Sequence, residues 1–375
     1  MKIASIESLF IDTAYVVRIT TDTGISGIGQ TACWGYTKAV KTVVDDFTDY
    51  LIGQDPLRIE HHWQYMYRIL PFRGNAVSGA VSAVDIALWD IKGKHYEAPI
   101  WDLLGGKCRD KVRLHLLIDS DSPDELAASV TQARDIGFTA VKFDPLTAGY
   151  PDWTQDRLVR HTQEMCQVAR EAAGTDVDLI VEIHRKLTPL TSLSLTEALK
   201  PYNLLFLEDP IQIDSIEGQS SIAKRTSVPI ANGERLNTIW EFRELLQNGG
   251  PQYIRPDVGL AGGLTHCKKI AAIAEAHHSA VVTHNFLGPL ITMASIHLNV
   301  SIPNVVTQEY TLEDESDINA VYKVSTTRQG GFMPAPEGPG LGVELDDSKL
   351  KDLPYRPFRE GGQHLRDDGS IANAV

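Results

Sequence analysis

From about residue 113 onward, short runs of β-branched or apolar residues alternate with amphipathic stretches. This alternation is typical of βα units arranged around a parallel sheet. Eight runs are predicted to be strands: 113–117, 140–143, 179–183, 205–208, 229–232, 253–255, 280–283 and 305–308. The last six end at intervals of about 25 residues, enough for one strand, one helix and two short loops. We therefore predict a closed α/β barrel over residues 113–318.

The two flanks of this region have a different pattern. Within residues 1–112, an apolar run and the glycine-rich turn 24–29 predict a twisted antiparallel hairpin, and helical patterns follow. After the last predicted strand the periodicity fades, and 330–347 is an irregular Pro/Gly-rich segment with one predicted strand. We expect residues 319–375 to return to the N-terminal region, so that both flanks together form an α+β cap over the barrel mouth.

Charge and composition exclude several classes of protein. The chain of 375 residues has a formal net charge of -14, so nucleic acid and anionic membranes, which bind basic patches, are not expected partners. It has no long apolar run and no signal-peptide pattern, which predicts a cytoplasmic protein. Its four cysteines lack the paired spacing of zinc sites or disulfide frameworks. An anionic substrate would require a metal ion and local Lys or Arg to reverse the charge in its pocket.

Acidic residues stand at the carboxyl ends of three consecutive predicted strands. Glu182, Glu208 and Glu234 follow one another at intervals of 26 residues. In a barrel, the C-terminal ends of successive strands converge on one site although they are remote in sequence. Carboxylates so close to one another repel each other strongly unless a cation lies between them. Ligands that are all oxygen atoms suit Mg²⁺ better than Zn²⁺. We therefore predict a Mg²⁺ site; the alternative is that each acid is an unrelated helix N-cap.

Two histidines follow predicted strands near these acids. Asp257 ends the sixth strand and His284 the seventh, and an Asp beside a His supports the imidazole as a general base. Without Asp257, a structural role for His284 would be the simpler interpretation. His184 comes two residues after Glu182, so on an extended strand both side chains face the same cavity. One histidine can then accept a proton while the other donates one.

Lys142 and Asp144 have the same i, i+2 spacing at the end of the second predicted strand. Lys142 can neutralise a substrate carboxylate, or it can form a salt bridge with Asp144. The sequence leaves both alternatives open. We assign Asp144 to substrate binding.

Several longer motifs resemble one family over essentially the whole chain. They are SAVDIALWDIKGK at 82–94, LLGGK at 103–107, EDP at 208–210, NGE at 232–234 and RPDVGLAGG at 255–263. Together with the pair Asp257 and His284, these motifs resemble the enolase superfamily, specifically its mandelate racemase branch. The resemblance implies a modified TIM barrel, (β/α)7β, with an α+β cap built from both termini. It also implies Mg²⁺ on the three glutamates, a His284–Asp257 base pair, and a Glu309 that helps to stabilise an enediolate.

Within this branch, three segments look like acid-sugar dehydratases of the galactonate, gluconate and mannonate kind: KFDP at 142–145, EIHRKLTP at 182–189 and TQEY at 307–310. This likeness implies a hydro-lyase that converts a sugar acid to a 2-keto-3-deoxy acid. Under it, His284 removes the C2 proton and His184 protonates the departing 3-hydroxyl. Lys142 and Glu309 hold the carboxylate and the enediolate. Glu309 can donate a hydrogen bond only when protonated, which we expect in so acidic a pocket.

Two departures from the family pattern bear on the alternatives. Glu182 stands where many relatives have Asp, and Lys142 is not followed by the second Lys typical of racemases in this branch. The alternatives are a racemase or epimerase that uses the same enediolate, and a non-catalytic metal-binding barrel. Lactone-forming chemistry of the muconate type is ranked last, because it normally uses a Lys where this chain has Asp257.

Substrate specificity is expected to come from loops of the cap. Aromatic and basic groups there can pack on a polyol tail and hydrogen-bond to it: Trp34, Tyr36, Phe72 and Arg73. Nothing in the order of these residues specifies the configuration of the hydroxyl groups, so the sequence does not identify the sugar acid. We expect a homo-oligomer, between a dimer and an octamer.

Overall fold

The N-terminal segment forms an antiparallel sheet packed against helices. The structure is a computed structural model that describes residues 1–146, 149–247, 249–316, 320–358 and 365–373. The first elements are β1 (Ile3–Ile11), β2 (Ala14–Thr21), β3 (Ser26–Gln30), α1 (Thr37–Leu51), α2 (Ile59–Arg68), α3 (Asn75–His95) and α4 (Ile100–Leu103). β2 is the central strand and pairs with both β1 and β3. These elements form the predicted α+β cap.

Close packing between β3 and α3 explains two glycines that the sequence placed in a turn. The turn itself contains Gly24, which has a φ of 84°, whereas Gly27 and Gly29 lie within β3. A Cβ on Gly27 would collide with the carbonyl oxygen of Ala87 on α3, and one on Gly29 would meet a helix carbonyl in the same way. The prediction of a turn over 24–29 is therefore wrong in its second half, where the glycines let the helix contact the strand backbone.

Eight parallel strands, with seven helices between them, form a closed barrel. In chain order the elements are β4 (Lys111–Ile118), α5 (Pro123–Ile136), β5 (Ala140–Phe143), α6 (Gln155–Ala173), β6 (Asp178–Glu182), α7 (Pro189–Leu199), β7 (Phe206–Glu208), α8 (Ile216–Arg225), β8 (Ile230–Asn232), α9 (Ile239–Gln247), β9 (Tyr253–Ile254), α10 (Gly263–Ala276), β10 (Ala280–Thr283), α11 (Pro289–Ser301) and β11 (Val305–Tyr310). β11 pairs with β4, which closes the barrel. The predicted (β/α)7β barrel is confirmed. Its predicted C-terminal limit, residue 318, lies outside the described residues. Of the helices that the structure describes, none is long and apolar enough to span a membrane.

An apolar layer inside the barrel lies beneath the ends of the strands. Ile180 of β6, Phe206 of β7 and Ala231 of β8 pack together there and are buried. Side chains two positions apart on a strand share a face. The next layer toward the carboxyl end is therefore formed by Glu182 and Glu208, which follow Ile180 and Phe206 by two positions. The strand pattern thus places carboxylates directly above a buried apolar layer.

The C-terminal segment divides between the barrel and the cap. Its strands are β12 (Tyr322–Val324), β13 (Phe332–Pro334) and β14 (Val343–Leu345); β12 pairs with β14, and β13 pairs antiparallel with β4. Further along, the ring of Tyr355 packs on Phe10, and its hydroxyl is 2.8 Å from the Thr37 hydroxyl. Arg356 Nη2 lies 2.5 Å from Asp12 Oδ1. The segment therefore returns to the N-terminal sheet.

A buried stack of two rings joins the cap to the barrel. Trp63 on α2 lies nearly parallel to His266 on α10, with ring centroids 3.3 Å apart. Burial lowers the pKa of His266 to about 3, whereas an unfolded chain has a histidine pKa of about 6.5. The unfolded chain therefore binds the proton more tightly. The free energy of unfolding therefore begins to fall as the pH drops below about 6.5, and it is about 2 kcal/mol lower at pH 5.

We expect His266→Phe, which keeps a flat ring against Trp63, to make the fold less sensitive to acid. Urea denaturation at pH 7 and at pH 5 measures the effect, because the free energy of unfolding should fall less in the variant than in the wild type. His277→Gln, a change at an exposed histidine, is the control and should follow the wild type. Equal acid sensitivity of wild type and His266→Phe would contradict the prediction.

Candidate active site

Three glutamates meet at the carboxyl ends of consecutive barrel strands. Glu182 and Glu208 are the last residues of β6 and β7 and are partners in the strand pairing, and Glu234 follows β8 by two residues. One carboxylate oxygen of each lies within 4.8 Å of those of the other two. Their exposed fractions are 0%, 0% and 2%. The structure therefore brings the three predicted acids together in a place shielded from bulk water.

Lys142 lies among these carboxylates. Its Nζ is 3.3 Å from Glu182 Oε2 and 3.3 Å from Glu208 Oε2, and it also contacts Glu309. Burial would lower the pKa of Lys142, but Glu208 and Glu309 outweigh that effect and raise the pKa above its usual value. The ammonium is therefore charged. Asp144 pairs with other groups, so the alternative of a Lys142–Asp144 salt bridge is wrong.

Arg255 is a second buried cation, which the sequence analysis did not single out. Its Nε lies 2.5 Å from Glu208 Oε1 and its Nη2 lies 2.6 Å from Glu309 Oε2. Burial would raise the pKa of Glu309, but Lys142 and Arg255 hold it well below its usual range. Glu309 is therefore ionised, and it accepts the backbone N–H of Asn285 at 3.1 Å. The expectation of a protonated, hydrogen-bond-donating Glu309 is wrong.

Two arginines hold Glu234 from neighbouring loops, and neither was predicted. Arg185 Nη1 lies 2.6 Å from Glu234 Oε1 and 3.0 Å from Asp209 Oδ2, and Arg235 Nη2 lies 3.0 Å from the same Glu234 oxygen. Asn232 donates to the other oxygen of Asp209 at 2.9 Å. Burial would raise the pKa of Glu234, but the surrounding cations hold it well below its usual range. This side of the triad is therefore ionised and fixed in place.

His284 and Asp257 form a hydrogen-bonded pair next to the triad. His284 Nδ1 lies 2.6 Å from Asp257 Oδ2, and the other carboxylate oxygen accepts the backbone N–H of Gly259 at 2.7 Å. A carboxylate at Nδ1 favours the tautomer that carries its proton on that nitrogen. The remaining nitrogen, Nε2, lies 3.5 Å from Glu234 Oε2. The basic nitrogen of the pair therefore faces the triad.

His184 enters the site through a tight turn. β6 ends at Glu182, and His184 and Arg185 have φ values of 49° and 63°, a left-handed conformation that is uncommon outside glycine. The His184 N–H donates to Glu182 Oε1 at 2.7 Å, and Nδ1 lies 2.5 Å from Asp144 Oδ2. Burial would lower the pKa of His184, but Glu182 and Asp144 raise it above its usual value. The prediction that an extended strand continues to His184 is therefore wrong, although the structure does bring His184 and Glu182 together.

The predicted cap-loop residues fall into two groups. Trp34 and Tyr36 line a cavity of about 190 Å³ together with the two arginines that hold Glu234. Arg73 instead lies over the rings of Tyr67 and Trp240, and it lines a separate cavity of about 500 Å³. Phe72 is 71% exposed. Of these four residues, only Trp34 and Tyr36 thus share a cavity with arginines that contact the triad.

An aromatic cluster covers His284. Phe286 lies edge-on to the imidazole with 5.4 Å between ring centroids, and Trp34 packs between Phe286 and Phe358, at 6.2 and 4.4 Å. Phe358 belongs to the C-terminal segment and Trp34 to the cap. Three remote parts of the chain therefore limit the access of water to one histidine.

The ligand chemistry of the triad fits a hard divalent cation. Carboxylate oxygens are the donors that such ions prefer. Burial together with the charge on Glu182 raises the pKa of Glu208 well above its usual range, in spite of Arg255 and Lys142 beside it. The protein cations therefore do not fully offset the crowding of carboxylates. A divalent cation bound by Glu182, Glu208 and Glu234 would supply the missing positive charge.

Comparison with protein families decides the assignment. The model of the mandelate racemase / muconate lactonizing enzyme N-terminal domain matches residues 3–105, and the enolase C-terminal domain-like model matches residues 125–349. The chain belongs to the enolase superfamily. The resemblance drawn from the sequence motifs is therefore confirmed.

Relatives of this enolase-superfamily member include dehydratases. The D-galactonate dehydratase of Klebsiella pneumoniae (strain 342) is 35% identical over 348 residues, 91% of each chain. A mandelate racemase/muconate lactonizing enzyme from Jannaschia sp. CCS1 is 31% identical, with a TM-score of 0.88 over 96% of this chain and 99% of that one. An Agrobacterium radiobacter enolase, proposed to be a galactarate dehydratase and solved with Na and L-malate, is 27% identical, with a TM-score of 0.93 over 100% of both chains. The chain is accordingly an enzyme of the hydro-lyase class, as predicted.

Proposed function

We propose that the enzyme dehydrates an acid sugar, an aldonate such as galactonate or gluconate, to a 2-keto-3-deoxy acid in the presence of Mg²⁺. The observation that carries this proposal is the placement of two carboxylate-paired histidines around one buried glutamate triad. Dehydration needs a base for the C2 proton and an acid for the 3-hydroxyl, and the two histidines provide both. The 35% sequence identity to a D-galactonate dehydratase supports an aldonate as the substrate class.

His284 is the base in this proposal. Asp257 occupies Nδ1, so Nε2 is the nitrogen that accepts the C2 proton. The Asp257 carboxylate then stabilises the imidazolium that forms.

Positive charge must stabilise the enediolate, because a carbon next to a carboxylate is a very weak acid. Glu182, Glu208 and Glu234 would hold Mg²⁺, which when bound supplies a Lewis acid for this charge. Lys142 adds an ammonium within 3.3 Å of two of these glutamates. Glu309 contacts both Lys142 and Arg255, so its role in the proposal is to orient these cations.

His184 is the acid. Burial lowers its pKa and the carboxylates of Glu182 and Asp144 raise it, with a net rise that favours the protonated form. The proton on Nε2 passes to the 3-hydroxyl oxygen as the C3–O bond breaks, and water leaves. The remaining enol tautomerises to the 2-keto-3-deoxy acid.

A panel of C4 to C6 aldonic and aldaric acids, incubated with the enzyme and Mg²⁺, tests this function. We expect at least one aldonate to give a 2-keto-3-deoxy acid. Deuterium exchange at C2 without loss of water would instead favour the racemase or epimerase, and inactivity on every acid would contradict an acid sugar of this size as the substrate. We also propose that Trp34 and Tyr36 contact the polyol tail of the substrate. Assembly of the enzyme as a homo-oligomer stays a prediction.

We expect His184→Asn to separate proton abstraction from loss of water. Dehydration should fall by about 10²–10⁴-fold, the usual contribution of a general acid. Exchange of the C2 proton should persist, because the His284–Asp257 pair is unchanged. ¹H NMR in D₂O measures exchange and product formation in one sample, and His278→Asn, at an exposed position, is the control. Loss of both activities would contradict a role restricted to the acid step.

A further inference from the structure

Both carboxylate oxygens of Asp144 are bound by protein groups, which does not suit the predicted role in substrate binding. Oδ2 lies 2.5 Å from His184 Nδ1 and 2.5 Å from Lys186 Nζ. Oδ1 accepts the backbone N–H of Leu146 at 2.8 Å. These three donors occupy most of the roughly four acceptor sites of a carboxylate and leave little capacity for a sugar hydroxyl. Its strongest contact is instead with the proposed acid.

Lys186 holds the same carboxylate oxygen of Asp144 that contacts the imidazole. Its Nζ also donates to the carbonyl of Leu146 at 3.1 Å and lies 5.0 Å from the centre of the Tyr150 ring. Lys186 is 6% exposed, so this ammonium has few other conformations to adopt. Leu146 and Lys186 together therefore prevent Asp144 from rotating away from His184.

The backbone conformation at His184 is one that surrounding contacts must hold. Its left-handed φ is a conformation that persists in proteins only when surrounding contacts hold it. Glu182 binds the backbone N–H of His184, which fixes the main chain but leaves rotation of the imidazole free. Asp144 binds the ring itself at Nδ1, and thereby leaves Nε2 as the nitrogen that can serve a substrate.

We propose that Asp144 is a positioning residue that orients His184 for proton donation, so that the site holds two carboxylate–imidazole pairs with opposite roles. This inference rests on the proposed dehydration. During that step the Nε2–H bond of His184 breaks, its proton joins the departing 3-hydroxyl, and the C3–O electron pair leaves with water. The imidazole is left neutral with its other proton on Nδ1, and that proton stays in the hydrogen bond to Asp144.

Asp144→Asn tests the proposal because an amide can donate its N–H to Nδ1, which favours the opposite tautomer and disfavours the imidazolium. We expect dehydration to fall by about 10²–10⁴-fold, the usual contribution of a general acid; the corresponding Asp→Asn change in a Ser-His-Asp triad costs about 10⁴-fold. Exchange of the C2 proton should stay within about threefold of the wild type, since the variant does not touch the base. In a His184→Asn background, Asp144→Asn should have no further effect, because its action passes through that imidazole.

Asp178→Asn is the matched control. Asp178 lies at the start of β6, the strand that leads to His184, and its carboxylate pairs with Arg113 Nη2 at 2.8 Å. The same chemical change is thus made at the opposite end of the same strand. We expect Asp178→Asn to leave both exchange and dehydration unchanged.

An analogue of the substrate with fluorine in place of the 3-hydroxyl gives a readout that a damaged fold cannot imitate. Fluoride leaves without a proton, so Asp144→Asn and His184→Asn should both release it at close to the wild-type rate, measured with a fluoride electrode. Dehydration by Asp144→Asn within about threefold of the wild type would overturn the inference and leave the function intact. Loss of exchange and fluoride release in Asp144→Asn would also overturn it, and a wild type that dehydrates nothing would overturn the function itself.

Discussion

His284→Asn should abolish both exchange of the C2 proton and dehydration, each by at least about 10³-fold. The expected loss is this large because every later step needs the enediolate, and the enediolate forms only when the C2 proton leaves. The amide of asparagine is not basic, and the hydrogen bond of His284 to Asp257 (2.6 Å) is the arrangement that makes the imidazole an effective base. NMR in D₂O and an assay for 2-keto-3-deoxy acids measure the two activities.

The fluorinated analogue sharpens this prediction. Fluoride release still requires removal of the C2 proton, so His284→Asn should not be rescued, in contrast to His184→Asn. His277→Asn, a change at an exposed histidine, controls for the loss of an imidazole as such. Full dehydration by His284→Asn would rule out the assignment of the base.

Removal of divalent cations with EDTA should abolish turnover, and addition of Mg²⁺ should restore it. Glu208→Gln should weaken Mg²⁺ binding by at least about 10–100-fold, the loss already seen when groups that only support metal ligands are changed. Isothermal titration calorimetry measures this binding without substrate, so the result does not depend on which sugar acid the enzyme uses.

Glu309→Gln is the matched control for the metal prediction. Glu309 is as buried as Glu208 and contacts the same two cations, Lys142 and Arg255, but it lies outside the triad of carboxylates whose oxygens converge. We expect it to keep its affinity for Mg²⁺ while it loses activity. Equal Mg²⁺ binding by wild type and Glu208→Gln would place the ion elsewhere.

The barrel and the triad were predictable because both follow from local patterns. Strands buried on both faces are continuous apolar runs, and all eight runs were recognisable as strands. Parallel strands end at the same edge of the sheet, so equal spacing of Glu182, Glu208 and Glu234 was sufficient to predict that they meet. The approach of His284 to Asp257 followed in the same way from neighbouring strand ends.

The pairing of charges inside the site was not predictable, because it depends on which side chains reach one another in space. Lys142 and Asp144 are two residues apart but bind different partners, since β5 ends between them at Phe143. Arg255 precedes Asp257 by two residues, so the RPD motif was the one sequence signal that pointed to this buried arginine. Because Arg255 was not taken into account, the sequence suggested that Glu309 is protonated. In the structure, Lys142 and Arg255 lower the pKa of Glu309 and keep it ionised.

The conformation of the loops was the other feature that could not be predicted from the sequence. The left-handed residues His184 and Arg185 break the alternation on which the sequence argument relied, and neither is a glycine that would have marked the turn. In the cap, aromatic composition indicated both Trp34 and Phe72, yet only the first lies at the cavity beside Glu234. Composition identifies suitable side chains, whereas the path of the loop decides which of them reach the site.

The pairing of β11 with β4, in which Gln308 lies opposite Leu114, has a consequence for biosynthesis. While the ribosome is still making the second half of the chain, β4 presents an open backbone edge, and such edges promote association between chains. Contacts so distant in sequence also form slowly. The edge of β4 therefore finds its barrel partner only after the eleventh strand has emerged.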